Sequence, residues 1–589
     1  MAVKAPTWDL SDFYPAITSE EVTKDISSAR KKAENFKAKY VGKLATLTGD
    51  ELAAAIKTYE QIEEKLGKLM SYAQLCYAAE TTNPKVAQFY QNTYEAISAI
   101  SLDLLFFTLQ FNKIPEKIIQ GKLRSAKLKK YAPWIRDVRA FSQYQLSDEV
   151  ENLLHEQSVV HAGWVRLFDE TLAQMSFDYG KKTLNSNEIF DLLSHKSRST
   201  REKAAKAIAK GLAKEQRIFS LVTNTLAKLK SIEDNKRGFV KPISRRNLAN
   251  FVEDEVVDTL ISTVKANYKP LSHRYYKWKA KQLKLKKMEY WDRNAPLPAA
   301  DNNQYSWVQA KKLVLGAYGD FSLKLAEIGE QFFDRKWIDA QVRAGKDSGA
   351  FSHPTVPSVH PYILMNFHGK TRDVMTLAHE LGHGVHQVLS AKQGALMADT
   401  PLTLAETASV FGEMLTFQAL VKKEKNTQKR KMLIAGKVED MLNTVVRQVA
   451  FCEFERLLHD ARSNGELSTE ELGTLWMKVQ KESLGPAFTF KKEYQSYWMY
   501  IPHFIHSPFY VYAYAFGDCL VNSLYAVYQQ ADTELKQKSF EKKYLDMLSA
   551  GGTLWHKELL QPFGLDASQP DFWQKGLNVI KSYIDELEA

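Results

Sequence analysis

Cysteine is almost absent: Cys76, Cys452 and Cys519 are the only three in 589 residues, far apart and without a CxxC pair. An odd count at such spacing cannot complete a disulfide framework, and a reducing compartment is expected. Uninterrupted apolar runs are scarce too. The opening MAVKAPTWDLSDFYP carries Asp9 and Asp12 where a secretory signal would run, so export is not expected. The most membrane-like window, residues 508–528, contains Asp518, Asn522 and five tyrosines and makes a poor hydrocarbon span. No fixed-period repeat or low-complexity tract occurs, which disfavours a regular solenoid.

What is present is ordinary for a folded chain in water: 44% apolar and 25% charged residues exclude disordered, collagen-like and membrane-spanning classes. Eighty basic against 69 acidic residues give +11, a mild bias toward acidic partners at this length. Ala, Leu, Lys and Glu abound and apolar residues recur at three and four, as in Ile56, Tyr59, Ile62, Leu66 and Met70. A mainly α fold follows. The polar, turn-rich stretch 180–200 suggests a boundary near residue 200, between an N-terminal helical lobe (1–200) and a second domain (201–589). Residues 345–369 break the helical pattern, with Pro354, Pro357 and Pro361 forbidding regular helix, and Tyr362 to Phe367 reads as a short buried strand. Residues 265–287 interleave lysines with aromatics. A core-facing helix bearing Tyr275, Trp278, Leu283 and Leu285, with solvated lysines, explains this better than a nucleic-acid surface.

The chemistry concentrates at His379-Glu380-Leu381-Gly382-His383, an HExxH pattern in a helix expected from Thr371 to about Leu389. At roughly 100° per residue the two histidines lie about 40° apart, while Val374, Leu377, Leu381, Val385 and Val388 form the opposite, apolar side. Two imidazoles one turn apart can chelate one zinc ion, and Glu380 beside them is placed to take a proton from water there. Gly382 and Gly384 are costly in a helix and imply close approach of another backbone or a substrate.

A catalytic zinc needs a third protein ligand and an open position. Position 389 is Leu, so the HExxHxxGxxH pattern fails and a downstream acid is required. A helix opened by Pro401 carries Glu406 and Glu413 within roughly 20° on one otherwise apolar face, with Asp399 just before it. His386 also lies beside the pair, but three ligands from one straight helix surround a tetrahedral ion poorly, so a supporting or substrate role suits it. Further on, residues 497–514 are dense in phenols and imidazoles; Ser507 and Pro508 read as N-cap and first helical residue, with Tyr510 and Tyr514 on one face. Such donors suit either an aromatic core or the oxygen that gains negative charge in peptide hydrolysis.

HELGHGVHQ, LAETASVFGE and IPHFIHSPFYVYAYAFG together resemble the oligoendopeptidase F branch of the thimet oligopeptidase superfamily of zinc peptidases. Trp8-Asp9-Leu10 with Tyr14-Pro15, HRYYKWKAKQLKLKKMEYWD, and SGAFS followed by PYILMNF extend the likeness along most of the chain. The resemblance implies His379, His383 and Glu406 as ligands of one zinc ion per chain and Glu380 as general base. It maps the family's oxyanion and substrate-backbone donors best onto His503 and Tyr510, with Tyr514 next and His506 as the competing histidine. It implies a two-lobed helical metallopeptidase with a deep central channel and a small β-sheet beside the active-site helix. Through Gly349 and Ala350 the edge of that sheet would pair with an extended peptide.

The expected protein is a cytoplasmic zinc endopeptidase of short unstructured peptides, monomer or homodimer, without nucleic-acid or membrane partners. A carboxypeptidase or dipeptidyl carboxypeptidase of the same superfamily shares the metal site but needs a cation for the free C-terminus. A non-catalytic peptide-binding protein is the alternative from another class.

Overall fold

The computed structural model describes residues 5–298 and 303–589, and helices account for most of them. The helices used below are α1 (Gly49–Ala79), α2 (Arg198–Arg237), α3 (Trp307–Phe321), α4 (Leu323–Asp334), α5 (Thr371–Ser390), α6 (Thr407–Lys423), α7 (Val446–Ser463), α8 (Thr469–Leu484) and α9 (Tyr512–Gln529). Local chemistry sets many of their ends. Before α1, Thr48 and Glu51 satisfy each other's amides, and α2 stops at Gly238, whose φ of 87° is cheap only without a side chain.

Contacts group the chain into two compact units, each drawn from three separated segments: 1–143, 302–423 and 527–565 form the first, and 144–301, 424–526 and 566–589 the second. A helix does begin at Arg198, but residue 200 lies inside one of these segments.

In the first unit, an aromatic and aliphatic cluster around Phe36, Phe107, Phe111 and Trp134 fills the N-terminal helices. The other centre is a three-stranded sheet of order β4 (Ile338–Asp339), β6 (Tyr362–Leu364), β5 (Phe351–His353), with β4 parallel and β5 antiparallel to β6. Every residue of β6 is buried. The strand is shorter than expected, yet Met365 and Phe367 still donate their amides to Asp339 and Ala340, so the extended path continues to Phe367. Buried Lys346 ties the loop before β5 to this sheet through Asp339 and the carbonyls of Gln341 and Met365.

In the second unit, β1 (Phe177–Tyr179) and β2 (Lys182–Leu184) form a hairpin, and β3 (Met288–Glu289) pairs in parallel with β7 (Phe488–Thr489). Tyr275 and Trp278 are core residues as the pattern implied, Tyr276 joins them, and Leu283 and Leu285 are only partly buried. Lys279 departs from the expectation of solvated lysines: it is fully buried, with Nζ 2.6 Å from Glu439 and 2.7 Å from the Arg293 carbonyl. Most of the apolar window 508–528 falls in α9, which is buried from Tyr512 to Tyr525 except at Tyr514. Its helix starts at Tyr512 rather than Pro508, because Phe509 takes φ 61° and gives its amide to Glu455. Among the described residues one stretch, Pro84–Asn112, is long and apolar enough to cross a membrane by length and composition alone.

Candidate metal centre

Helix α5 is anchored at its start by Asp373, whose carboxylate accepts the amides of His368 and Lys370. Val374, Leu377, Leu381 and Val385 are buried on its apolar side, as the helical period dictates. That leaves His379 and His383 facing outward from the core, their rings 4.9 Å apart. Helix α6 crosses against α5 at Gly382, where a Cβ would stand 2.5 Å from the Ala408 carbonyl oxygen and 2.6 Å from the Ser409 Cα. Gly384 meets the Phe332 ring of α4 at a similar distance, 2.5 Å. Both glycines are thus explained by neighbours that leave no room for a methyl group.

This close crossing brings in the acid. The helix expected after Pro401 is broken: a turn, Leu402–Ala405, ends at Glu406, whose ψ of 0° separates it from α6. Glu406 Oε2 lies 3.4 Å from His379 Nε2 and 3.4 Å from His383 Nε2, and the three side chains form a group able to hold one metal ion. Ser409 donates its hydroxyl to the same Glu406 oxygen at 2.7 Å. Burial would raise the Glu406 pKa, but the His383 bond and charge, the His379 charge and the Ser409 bond hold it at about 2.

Glu413 is not in this group. Its carboxylate meets His379 Nδ1 at 3.2 Å, the ring nitrogen that points away from Glu406. Burial would lower the His379 pKa, but the Glu413 bond and the charges of Glu406, Glu380 and Glu413 raise it to about 9. Asp399 is likewise outside the group. His386 is buried beside a cavity of about 840 Å³ that also reaches His383; burial, with the nearby His383 charge, lowers its pKa to about 4, and Thr400 bonds its Nε2.

Glu380 is buried, and burial raises its pKa; it also accepts the amide of Ser352 in β5. Gln387 of α5 clamps the same Ser352 through its hydroxyl at 2.9 Å and its carbonyl at 3.2 Å. The small sheet therefore sits beside the HExxH helix, with β5 as an edge strand and Gly349 and Ala350 exposed just before it. Gln387 and the placement of Glu413 on His379 escaped the sequence reading, since each depends on contacts between elements, whereas Ser409 is the serine of the ExxS form that the family resemblance places after the third ligand.

The second unit gathers the expected donors unevenly. His503 Nε2 is 3.4 Å from the Tyr514 hydroxyl, and the Tyr510 ring lies 5.2 Å from that of Tyr514 and 6.2 Å from that of His503. His506 leaves this cluster and pairs with Asp169 at 2.7 Å. Arg246 holds the Pro508 carbonyl and Asn250 the Tyr512 hydroxyl, which with Glu455 fixes the turn carrying Tyr510.

Comparison with known proteins gives a consistent result. The model of peptidase family M3 matches residues 321–579, and an oligopeptidase F model matches 110–177. Oligopeptidase PepF of Bacillus subtilis is 27% identical over 99% of this chain and 87% of its own length. An oligoendopeptidase F homolog of Borreliella burgdorferi is 28% identical over 99% and 97%. The crystal structure of oligoendopeptidase-F from Enterococcus faecium superposes with a TM-score of 0.72 at 21% identity, covering 97% of this chain and 98% of that one.

Proposed function

This chain belongs to peptidase family M3, in its oligoendopeptidase F branch, and is a peptidase; on that premise we propose a zinc endopeptidase of short unstructured peptides, with Glu380 as its general base. One observation carries the reading: His379, His383 and Glu406 aim three ligand atoms at a common point. A tetrahedral ion with bonds of about 2.0–2.1 Å separates its ligand atoms by about 3.3–3.4 Å, which the two His–Glu distances match. The donor set, two imidazoles and one carboxylate with a further carboxylate on one imidazole, suits zinc in a site with an open position.

When bound, zinc supplies Lewis acidity, making water more acidic and drawing electron density from a peptide carbonyl. The protein's own groups do the rest. Glu413 keeps His379 oriented with Nε2 toward the ligand group, and Ser409 holds Glu406. Glu380, buried and raised in pKa, takes the proton of the attacking water and passes it to the leaving amine. His503 and Tyr510 donate hydrogen bonds to the oxygen on which negative charge develops; the support for them is the family's sequence pattern and their common cluster with Tyr514. Gly349 and Ala350, exposed before an edge strand, pair with the backbone of an extended peptide. A reducing, cytoplasmic setting accords with three free cysteines.

Glu380→Gln tests the assignment, since the amide keeps an acceptor for Ser352 but cannot take a proton. Zinc content by elemental analysis should stay at one per chain while kcat on a peptide pool falls by about 10²–10⁴. Retained turnover refutes the role. Equal cleavage of peptides with free and amidated C-termini is the outcome expected of an endopeptidase.

A further inference from the structure

A peptide that adds to a sheet edge needs free backbone groups there, and the sheet beside the HExxH helix offers them at one residue while withholding them at another. In β6, Ile363 and Met365 give their amides to Trp337 and Asp339 on the β4 side, so Tyr362 and Leu364, which alternate with them, face β5. Their partners across the ladder are His353 and Phe351. Ser352, between those two, therefore turns its N–H and C=O to the outer edge. The same alternation carried two residues back turns the backbone groups of Ala350 outward as well.

At Ser352 the edge is already occupied. Glu380 accepts its amide, Gln387 Nε2 donates to its carbonyl at 3.2 Å, and its hydroxyl donates to Gln387 Oε1 at 2.9 Å. Glu380 and Gln387 are seven residues apart in α5, so they lie within roughly 20° of each other and take Ser352 from one face. Ala350 is exposed, and among the described residues nothing takes its amide or carbonyl. A paired peptide thus meets Ala350 and, about 7 Å further on, finds α5 in the place of the next ladder bonds. Gln387 also lines the cavity that reaches His383, so it stands on the open side of the helix. The separation between the proposed base and the residue that holds substrate backbone is set by Ser352, and a misplacement of about 1 Å between reacting groups can cost on the order of 10²-fold.

We infer that Gln387 is a positioning residue for peptide hydrolysis: by filling the sheet edge at Ser352 it fixes β5 against Glu380 and confines backbone pairing with an extended peptide to Ala350. The inference rests on the endopeptidase reading above for its substrate, whereas the clamp on Ser352 belongs to the fold.

The probe is a cleaved peptide in which backbone amides are replaced by esters one at a time, the scissile bond excepted, so that each loses one N–H donor with little change of shape. Wild type should lose about 3–10-fold in kcat/KM at a single residue, the one opposite Ala350, and nothing at residues two places to either side. Gln387→Leu should lower kcat/KM on the all-amide peptide by about 10-fold or more and shrink that ester penalty below about 2-fold, with zinc content unchanged. A merely structural loss lowers the rate on both peptides alike and leaves the penalty intact. Hydrogen exchange of the fragment 349–354, read by mass spectrometry, needs no substrate and should rise in the variant. Gln387→Glu keeps an acceptor for the Ser352 hydroxyl but sets a carboxylate against its carbonyl, and serves where leucine prevents folding. An unchanged ester penalty or unchanged exchange in the variant overturns the role of Gln387 alone. So does a wild type with no sensitive residue, or with two sensitive residues two places apart. A wild type that cleaves no peptide overturns the endopeptidase reading and the role of Gln387 together.

Discussion

His379 uses its two ring nitrogens for different work: Nε2 faces Glu406 while Nδ1 is held by Glu413 at 3.2 Å. A carboxylate on the far nitrogen fixes the tautomer and ring angle and makes the near nitrogen a better ligand. Glu413→Ala should therefore weaken zinc binding by about 10–100-fold, measured by chelator competition, while leaving the ligand set intact. An unchanged zinc Kd would sink that role. Glu455 illustrates a second residue whose surroundings decide its chemistry. It is 1% exposed, with one oxygen on the Phe509 amide and the other without a partner. Burial pushes its pKa to about 8, against the Phe509 bond and the Arg246 and Lys230 charges, from an ordinary 4.5. The raised value means that the folded chain holds a proton which the unfolded chain releases between those limits. Its stabilising effect is complete below about pH 4.5 and lost as pH rises through about 8, with a slope of at most about 1.4 kcal/mol per pH unit. Glu455→Gln removes that slope, so urea denaturation should show the variant gaining on wild type between pH 5 and 9; a relative loss contradicts the buried neutral acid.

Between elements, the α5–α6 crossing is the feature on which the metal group depends. Gly382 lets the Ala408–Ser409 backbone approach closely enough for Glu406 to reach both imidazoles. Adding one methyl there pushes the helices apart, and Gly382→Ala should cost about 1–3 kcal/mol in chemical denaturation and weaken metal binding with it. Gly436, interior to the helix Thr427–Thr444, has nothing within 4 Å of its would-be Cβ. Gly436→Ala should instead stabilise by roughly 0.5–1 kcal/mol, the usual helical gain. If both substitutions cost alike, steric approach is not what selects Gly382.

For the whole molecule, the side-chain group able to hold a metal joins α5 to the residue preceding α6, and both belong to the first unit. Ligand binding stabilises the state that binds, by about 4 kcal/mol when the ligand is at a thousand times its Kd. Removing the metal with a chelator should abolish peptide cleavage and raise hydrogen exchange in α5 and α6, with α7 and α8 of the second unit unaffected. Exchange that is unchanged everywhere, or raised uniformly, rules against a metal bound at this place. The two units also show why chain order misleads about domains. Each draws on three segments, and membership depends on long-range contacts that a composition change near residue 200 does not report.

Periodicity alone was enough for the helical class, for the apolar side of α5 and for the two histidines opposite it, because helix geometry converts sequence spacing directly into angle. It also put Glu406 and Glu413 on one face, but on an unbroken helix they were equivalent candidates for the ligand. The family resemblance favoured Glu406, and the folded chain supplies the physical distinction: the turn ending at Glu406 and the Gly382 crossing send one acid to both Nε2 atoms and the other to Nδ1. The same holds for His503 and His506, three residues apart, one beside Tyr514 and the other on Asp169. Spacing along a helix sets direction, whereas distance between two elements is set by how closely their backbones can pack.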